Sequence, residues 1–399
     1  MQSVQLENLY SGLILRERKY KQGNAMISPK EFFDFLIRQG IGFFTGVPDS
    51  LLKDFCAYVE DNAANNHIIA ANEGNAIAIA SGFHLATGRF PLVYMQNSGL
   101  GNSINPLASL ADQDLFSIPI LIIVGWRGEP GTEDEPQHVK QGKITLPILE
   151  TVNIPYAVLP QSQKESEETT SNLLKQMKSE SRPVALVVTH DSFEPYTLKE
   201  KDTLSYPLTR EQSIALIADS LPETALIVST TGKTSRELFE YRGNRGQPHA
   251  RDFLTVGSMG HCSSIALGIA SQQPQRDVYC FDGDGALIMH MGSLAVIGAQ
   301  GQKNFKHIIF NNGSHDSVGG QPTAGFSIDI PKIALACGYR QALRAETEQE
   351  VKAAMEKIAA SMGPSLLEVR VNKGSRKDLG RPTTTPLENK KAFMEFLHS

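Results

Sequence analysis

Sulfur chemistry is sparse in this chain. Only four of its 399 residues are cysteine (Cys56, Cys262, Cys280 and Cys337), with no Cys-x-x-Cys pair and no metal-ligand spacing. This excludes a disulfide scaffold or a zinc ribbon and points to buried, reduced thiols. Basic excess is absent as well: 38 Lys and Arg face 43 Asp and Glu, a formal charge of −5. Nothing in that balance favours nucleic acid or an anionic membrane as partner. No apolar run approaches the ~20 residues that span a bilayer. The first 25 residues hold no secretory core either. The apolar stretch 9–15 is broken by Ser11 and Gly12 and followed by Arg16, Arg18 and Lys19. A cytoplasmic location is expected, with residues 1–25 read as an extension of no assigned function.

A 41% hydrophobic content over this length suits two domains with sizeable cores. Short β-rich runs at 41–45, 67–70, 92–95, 118–124 and 184–189 alternate with helical patterns. A second alternation has runs at 225–229, 253–256, 278–281, 307–310 and 365–370. Their continuous apolar character predicts buried parallel strands. The expected fold class is α/β, with two domains of similar size at 26–190 and 207–399. The polar stretch 191–206 reads as a linker. Ser28 with Glu31, and Thr209, read as helix caps. No sequence repeat links the halves.

The most telling segment runs from 278 to 320. The turn Gly283-Asp284-Gly285 ends one apolar run, a helical stretch follows, and Asn311-Asn312-Gly313 ends the next run. That is a βαβ pattern, whose two parallel strands open on one crevice. Adjacent strands lie roughly 4.8 Å apart, so Asp284 and Asn311 can grip one small ion, with the Gly313 carbonyl as a third ligand. Hard oxygen donors of this kind suit Mg²⁺ holding a phosphate group. Gly232-Lys233-Thr234 looks like the end of a P-loop, but Ile227 stands where the first glycine is needed, so ATP hydrolysis is rejected. Lys233 or Arg236 is left as a possible contact for a phosphate or phosphonate.

The Gly283-Asp284-Gly285 turn with Asn311-Asn312-Gly313, 27 positions from Asp284 to Asn311, resembles the diphosphate motif of thiamin diphosphate enzymes. The resemblance implies Mg²⁺ held by Asp284, Asn311 and Gly313, and a cofactor lined by Gly283 and Gly285. Glu73 ends the run from His67 and opens a helical pattern, 73–87. It is similar to the family carboxylate that hydrogen-bonds the aminopyrimidine ring and activates the cofactor. Gly257, Ser258 and Met259 resemble the loop whose apolar side chain wedges between the cofactor rings. Met259 is equally suited to a core, and Glu73 to a helix dipole.

A narrower resemblance rests on Gly46-Val47-Pro48-Asp49-Ser50, Gly125-Trp126-Arg127-Gly128, Asp134-Glu135-Pro136-Gln137-His138, Gln141-Gly142 and the run 311–323. These are similar to the phosphonopyruvate and sulfopyruvate decarboxylase group. The resemblance covers residues 26–375. It implies a compact member without a central third domain, a small 2-oxo acid substrate, and at least a homodimer with sites between subunits. Decarboxylation of 3-phosphonopyruvate to phosphonoacetaldehyde, a step of phosphonate biosynthesis, is the expected reaction. Sulfopyruvate decarboxylation, carboligation of 2-oxo acids and a non-catalytic binding role are the alternatives.

Further candidates follow from residue type. Asp49 is a proton relay or a helix cap. His138 assists proton transfer or meets the phosphonate. Arg127 is an anion clamp or an ion-pair partner of Glu129, Glu133 or Asp134. Ser50 is a candidate to face substrate, and His315 and Ser317 are candidates to face substrate or diphosphate. His67, His84 and His307 read as structural.

Overall fold

A computed structural model describes residues 26–199 and 205–398. The expected extension 1–25 and positions 200–204 of the expected linker lie outside the described residues.

Parallel strands build two six-stranded sheets. The first holds β1 (Ile41–Gly46), β2 (His67–Ile69), β3 (Phe90–Gln96), β4 (Leu121–Gly125), β5 (Tyr156–Val158) and β6 (Val184–Val188), in the order β2-β1-β3-β4-β6-β5. The second holds β7 (Leu226–Ser229), β8 (Asp252–Leu254), β9 (Val278–Gly283), β10 (Phe305–Asn311), β11 (Gln341–Ala345) and β12 (Ser365–Arg370), in the order β11-β12-β10-β9-β7-β8. Counted from β7 and read from the β8 edge, this second order is 2-1-3-4-6-5, the order of the first sheet. The two halves thus share one topology without a visible sequence repeat, because burial constrains the pattern of apolar residues and not their identity.

Two strands escape the sequence pattern, and both lie at edges. β5 is only three residues long and none of them is fully buried. β11 mixes Gln341 and Arg344 with small or apolar residues and is half-buried over most of its length. An edge strand lacks one flanking neighbour, so its sequence need not be continuously apolar. The run expected at 118–124 begins as a strand only at Leu121. Pro119 cannot donate to the ladder, and Ser117 has a left-handed backbone at φ +52°.

Successive side chains of the central strands serve opposite faces. Leu92 and Tyr94 of β3 join one core with Phe32, Leu36 and Phe55, while Val93 and Met95 join the other with Ala76 and Ile77. Tyr279 and Phe281 of β9 likewise separate from Val278 and Cys280. The cysteines are free, three of them buried and Cys337 half-buried. Ser28 accepts a hydrogen bond from the Glu31 amide. Thr209 forms a full capping box with Gln212. The start of the 191–206 stretch docks on the first sheet's domain, through the Ile27–Phe193 bridge and the Tyr196 hydroxyl bond to Asp61. No described helix is long and apolar enough to cross a membrane.

Candidate active site

The loops leaving the carboxyl ends of the strands carry nearly every candidate residue. The two sets of loops approach each other within one chain. Asn72 Nδ2 donates to the Met289 carbonyl at 3.1 Å. Gln321 Nε2 reaches the Lys53 carbonyl at 3.5 Å. A Cβ at Gly257 would stand 3.3 Å from the Gln137 Cβ. Ligands of open α/β sheets bind at such edges, next to the point where strand order reverses. Here that point lies between β1 and β3 in one sheet and between β7 and β9 in the other.

Asp284 starts the helix Asp284–Met289 directly after β9 and is buried. Burial pushes its carboxyl pKa up to about 6, opposed by the Thr323 hydroxyl, which donates to Oδ2, and by the backbone amides of Asn312, Asp284 and Gly285. Asn311 ends β10. Its Nδ2 is committed to the Gly325 carbonyl and to Glu368 Oε1, both at 2.8 Å, which turns Oδ1 the other way. Oδ1 accepts from the Gly313 amide at 3.1 Å. The Gly313 carbonyl accepts from Thr323 N at 3.0 Å and keeps a second lone pair.

Gly325 seals this corner. A Cβ there would lie 2.6 Å from Asn311 Oδ1 and 2.7 Å from Asp284 Oδ2. The two side-chain oxygens therefore converge, and only a residue without a side chain fits against them. A buried carboxylate, an amide oxygen and a carbonyl are the donor set of a hard dication. A cation would also favour the ionised form of Asp284 that burial opposes.

Around this corner, the loop 257–260 contains left-handed residues at Gly257, Ser258 and Gly260. It carries Met259 to the start of the Asp284 helix, where the Met259 methyl lies 3.5 Å from a Cβ position on Gly285. The His315 ring lies 3.4 Å from the same point. Burial lowers the His315 pKa to about 4, so its imidazole is neutral at physiological pH. Ser317 is exposed beside Gly232, its Oγ 3.9 Å from a Cβ position there. Gly283 completes the turn, its amide bonded to Asp282 Oδ1 at 2.9 Å.

Glu73 is 5% exposed and opens the helix Glu73–Thr87, whose N-cap is Asn72. Asn102 Nδ2 donates to Glu73 Oε2 at 2.7 Å. A Cβ at Gly99 would stand 2.4 Å from Glu73 Cγ and 2.5 Å from Oε1, so the glycine lets the carboxylate settle into its place.

Asp49 is fully buried after β1. Burial raises its pKa to about 6, against the lowering effect of the Leu51 amide, Arg127 and the Ser50 and Leu52 amides. It closes a turn, with Leu51 N at 3.1 Å from Oδ2, and does not cap the following helix, whose N-cap is Leu52. Among the described residues its Oδ1 has no hydrogen-bond partner, and neither do Ser314 Oγ, Gln321 Oε1, Gln137 Oε1 or His290 Nε2. Asp49, Ser314 and Gln321 sit in loops at the strand ends, Gln137 in the first turn of the helix Pro136–Thr151 and His290 just past the helix Asp284–Met289, and a ligand can satisfy such orphans.

Arg127 forms the ion pair with Asp134, by Nε at 2.8 Å and by Nη2. Its remaining Nη1 donates to Ser50 Oγ at 2.7 Å. His138 Nδ1 meets Asp134 Oδ1 at 2.8 Å. Arg127 is thus a committed cation. Lys233 is bound to Asp316 by its carbonyl at 3.1 Å, and Arg236 holds the carbonyls of Leu379 and Gly380. His67, His84 and His307 bond to Tyr94, the Arg89 carbonyl and Tyr339.

Sequence reasoning missed Asn102, Thr323, Gly325, Gln321 and Glu368. One signal was present: Glu368 is a lone charge inside the apolar run of β12. The others are ordinary polar or small residues until the fold assembles them.

Two family models match the chain. Residues 30–146 match the thiamine pyrophosphate enzyme N-terminal TPP binding domain, and 230–369 its C-terminal TPP binding domain. A phosphonopyruvate decarboxylase from Streptomyces viridochromogenes is 33% identical, with 93% of this chain and 95% of that protein covered. Another, from Streptomyces hygroscopicus, is 33% identical with 93% and 94% covered. A sulfopyruvate decarboxylase from Methanosarcina acetivorans is 28% identical over 93% of this chain and 98% of its own length. The chain therefore belongs to the thiamin diphosphate-dependent decarboxylases, carboxy-lyases that remove CO₂ from small 2-oxo acids.

Proposed function

We propose that this protein decarboxylates 3-phosphonopyruvate to phosphonoacetaldehyde and CO₂ with thiamin diphosphate and Mg²⁺, in phosphonate biosynthesis. The observation that carries the substrate is the full-length similarity to two phosphonopyruvate decarboxylases. When bound, the cofactor supplies a cationic thiazolium that accepts the electron pair released with CO₂.

The chain's own residues supply position and proton control. Asp284, Asn311 and the Gly313 carbonyl would hold Mg²⁺ and thereby anchor the diphosphate, lined by Gly283 and Gly285. Met259, with Gly257 and Ser258, would support the bent cofactor. Glu73, buttressed by Asn102 and Gly99, would hydrogen-bond the aminopyrimidine ring. Asp49, whose pKa of about 6 lies near working pH, is suited to hold and give the proton taken by the carbon that loses CO₂. His138 shares that task. Ser50, oriented by Arg127, together with His315 and Ser317 would receive the anionic groups of the substrate. Neutral His315 contributes hydrogen bonding there and no charge.

A competition assay with phosphonopyruvate, sulfopyruvate and pyruvate tests this, scoring aldehyde against acyloin. A kcat/KM at least tenfold higher for phosphonopyruvate, with aldehyde as product, is expected. Preference for sulfopyruvate, or acyloin as the main product, overturns it.

We further infer a homodimer whose sites pair the first domain of one subunit with the second of the other. The intrachain contacts Asn72–Met289 and Gln321–Lys53 favour a second arrangement, with each site inside one chain.

A further inference from the structure

The loop after β4 is organised around one carboxylate. Asp134, with 3% of its side chain exposed, gathers donors on both oxygens. Oδ1 receives Arg127 Nη2, the Glu135 amide at 2.7 Å and His138 Nδ1 at 2.8 Å. Oδ2 receives Arg127 Nε at 2.8 Å and the Gly128 amide at 2.7 Å. His190 Nε2, from the loop after β6, stands 4.0 Å from Oδ2.

We propose that Asp134 is the positioning residue of this active site, fixing His138 in its Nδ1–H tautomer and turning Arg127 toward Ser50 and Asp49. The inference rests on the reading of His138 as a proton-transfer group. An ionised carboxylate only accepts hydrogen bonds. The imidazole nitrogen facing it must therefore carry the proton, which leaves the lone pair on Nε2. That atom has no hydrogen-bond partner among the described residues, so it is free to exchange protons.

Asp134 stays ionised. Burial alone pushes its pKa up, but hydrogen bonds from Arg127, His138 and Gly128 hold it well below the usual carboxylate range. Arg127 has two of its three nitrogens on Asp134 and the third on Ser50. A guanidinium fixed this way orients Ser50 and stands within electrostatic reach of Asp49.

The charged neighbours of His138 are few. Asp134 and Arg127 lie in the loop that precedes its helix Pro136–Thr151, His190 comes from the loop after β6, and the adjacent Glu135 is paired with Arg381. Burial lowers the His138 pKa, Arg127 and His190 lower it further, and Asp134 raises it. Removing the Asp134 charge therefore lowers it again. If neutral His138 is the active form, activity falls as pH drops through that pKa. The acid limb of kcat/KM then moves to lower pH in Asp134→Asn.

The test combines Asp134→Asn, Asp134→Glu, His138→Gln and the Asp134→Asn/His138→Gln double variant, each checked by thermal melting. Asp134→Asn should lower kcat about 10²-fold, shift the acid limb downward, raise KM through the loosened Arg127 and Ser50, and change cofactor affinity little. Asp134→Glu should restore part of the rate, and the double variant should be no slower than His138→Gln. An unmoved acid limb, or losses that multiply in the double variant, overturns the proposal. A ¹⁵N spectrum of His138 in the unmutated enzyme decides independently of folding and turnover. The Nδ1–H tautomer is expected, and an Nε2–H tautomer overturns the assignment. A fully active His138→Gln variant would sink the proton-transfer reading alone, while the spectrum would still decide what Asp134 does to the ring.

Discussion

Single carboxylates are where this site differs most from an ordinary protein surface. Glu73 is buried at a helix start beside Asn102 and Gly99. Glu73→Gln should retain cofactor binding and lose about 10²- to 10⁴-fold in turnover. Cofactor titration beside steady-state kinetics checks this, and unchanged turnover would remove Glu73 from the mechanism. Asp49 allows a stability prediction with a definite sign. Its folded pKa of about 6 lies above the ordinary value near 3.9. Its favourable contribution is thus complete below about pH 4 and is lost as pH rises through about 6. The cost of the buried charge at pH 7 is on the order of 2–3 kcal/mol. Asp49→Asn should therefore melt higher than the unmutated protein at pH 7.5, with the difference vanishing near pH 4, while decarboxylation falls. Melting curves across pH decide; a variant less stable at pH 7.5 contradicts the sign.

Among the elements, the short turn Ala324–Phe326 matters as much as the strands it leans on. Gly325 lies against both Asn311 Oδ1 and Asp284 Oδ2. Gly325→Ala should displace those oxygens and weaken Mg²⁺-dependent cofactor binding at least tenfold, with melting temperature little changed. Binding titrations at fixed Mg²⁺ measure it, and unchanged affinity would refute the metal corner. The βαβ unit from β9 to β10 was legible because its strands are apolar throughout and its ligands sit at the strand ends, where sequence spacing translates directly into geometry. The helix Glu73–Thr87 was legible from its periodic pattern and starting carboxylate. β5 and β11 were not, since β5 is only three half-buried residues and β11 mixes polar with apolar residues.

For the molecule as a whole, two sheets of one topology present their ligand-binding edges to each other. Whether one site is built from one chain or two is decided by mixing inactive variants. Glu73→Gln and Asp284→Ala damage different domains. In a co-expressed pair, a shared site restores one intact centre per mixed dimer, about a quarter of full activity. A site within one chain restores none. The expected result is restoration; its absence, with mixed dimers demonstrated, would establish the intrachain arrangement that Asn72–Met289 suggests.

The sequence alone determined the α/β class, the placing of Asp284 and Asn311 at neighbouring strand ends, and the position of Glu73 at a helix start. Each depends on local periodicity or on fixed spacing within one βαβ unit. Tertiary structure decided what those residues touch. Glu368, 57 positions from Asn311, orients its amide, and Asn102 braces Glu73 from 29 positions away. Of the two roles left open for Arg127, anion clamp or ion-pair partner, the pair with Asp134 is the one formed, with Ser50 as a further partner. Asp49 proved to be the closure of a buried turn. Contacts across such separations depend on which strand ends the sheet brings together, and hydrogen-bonding polar residues leave no periodic trace of their partners in the chain.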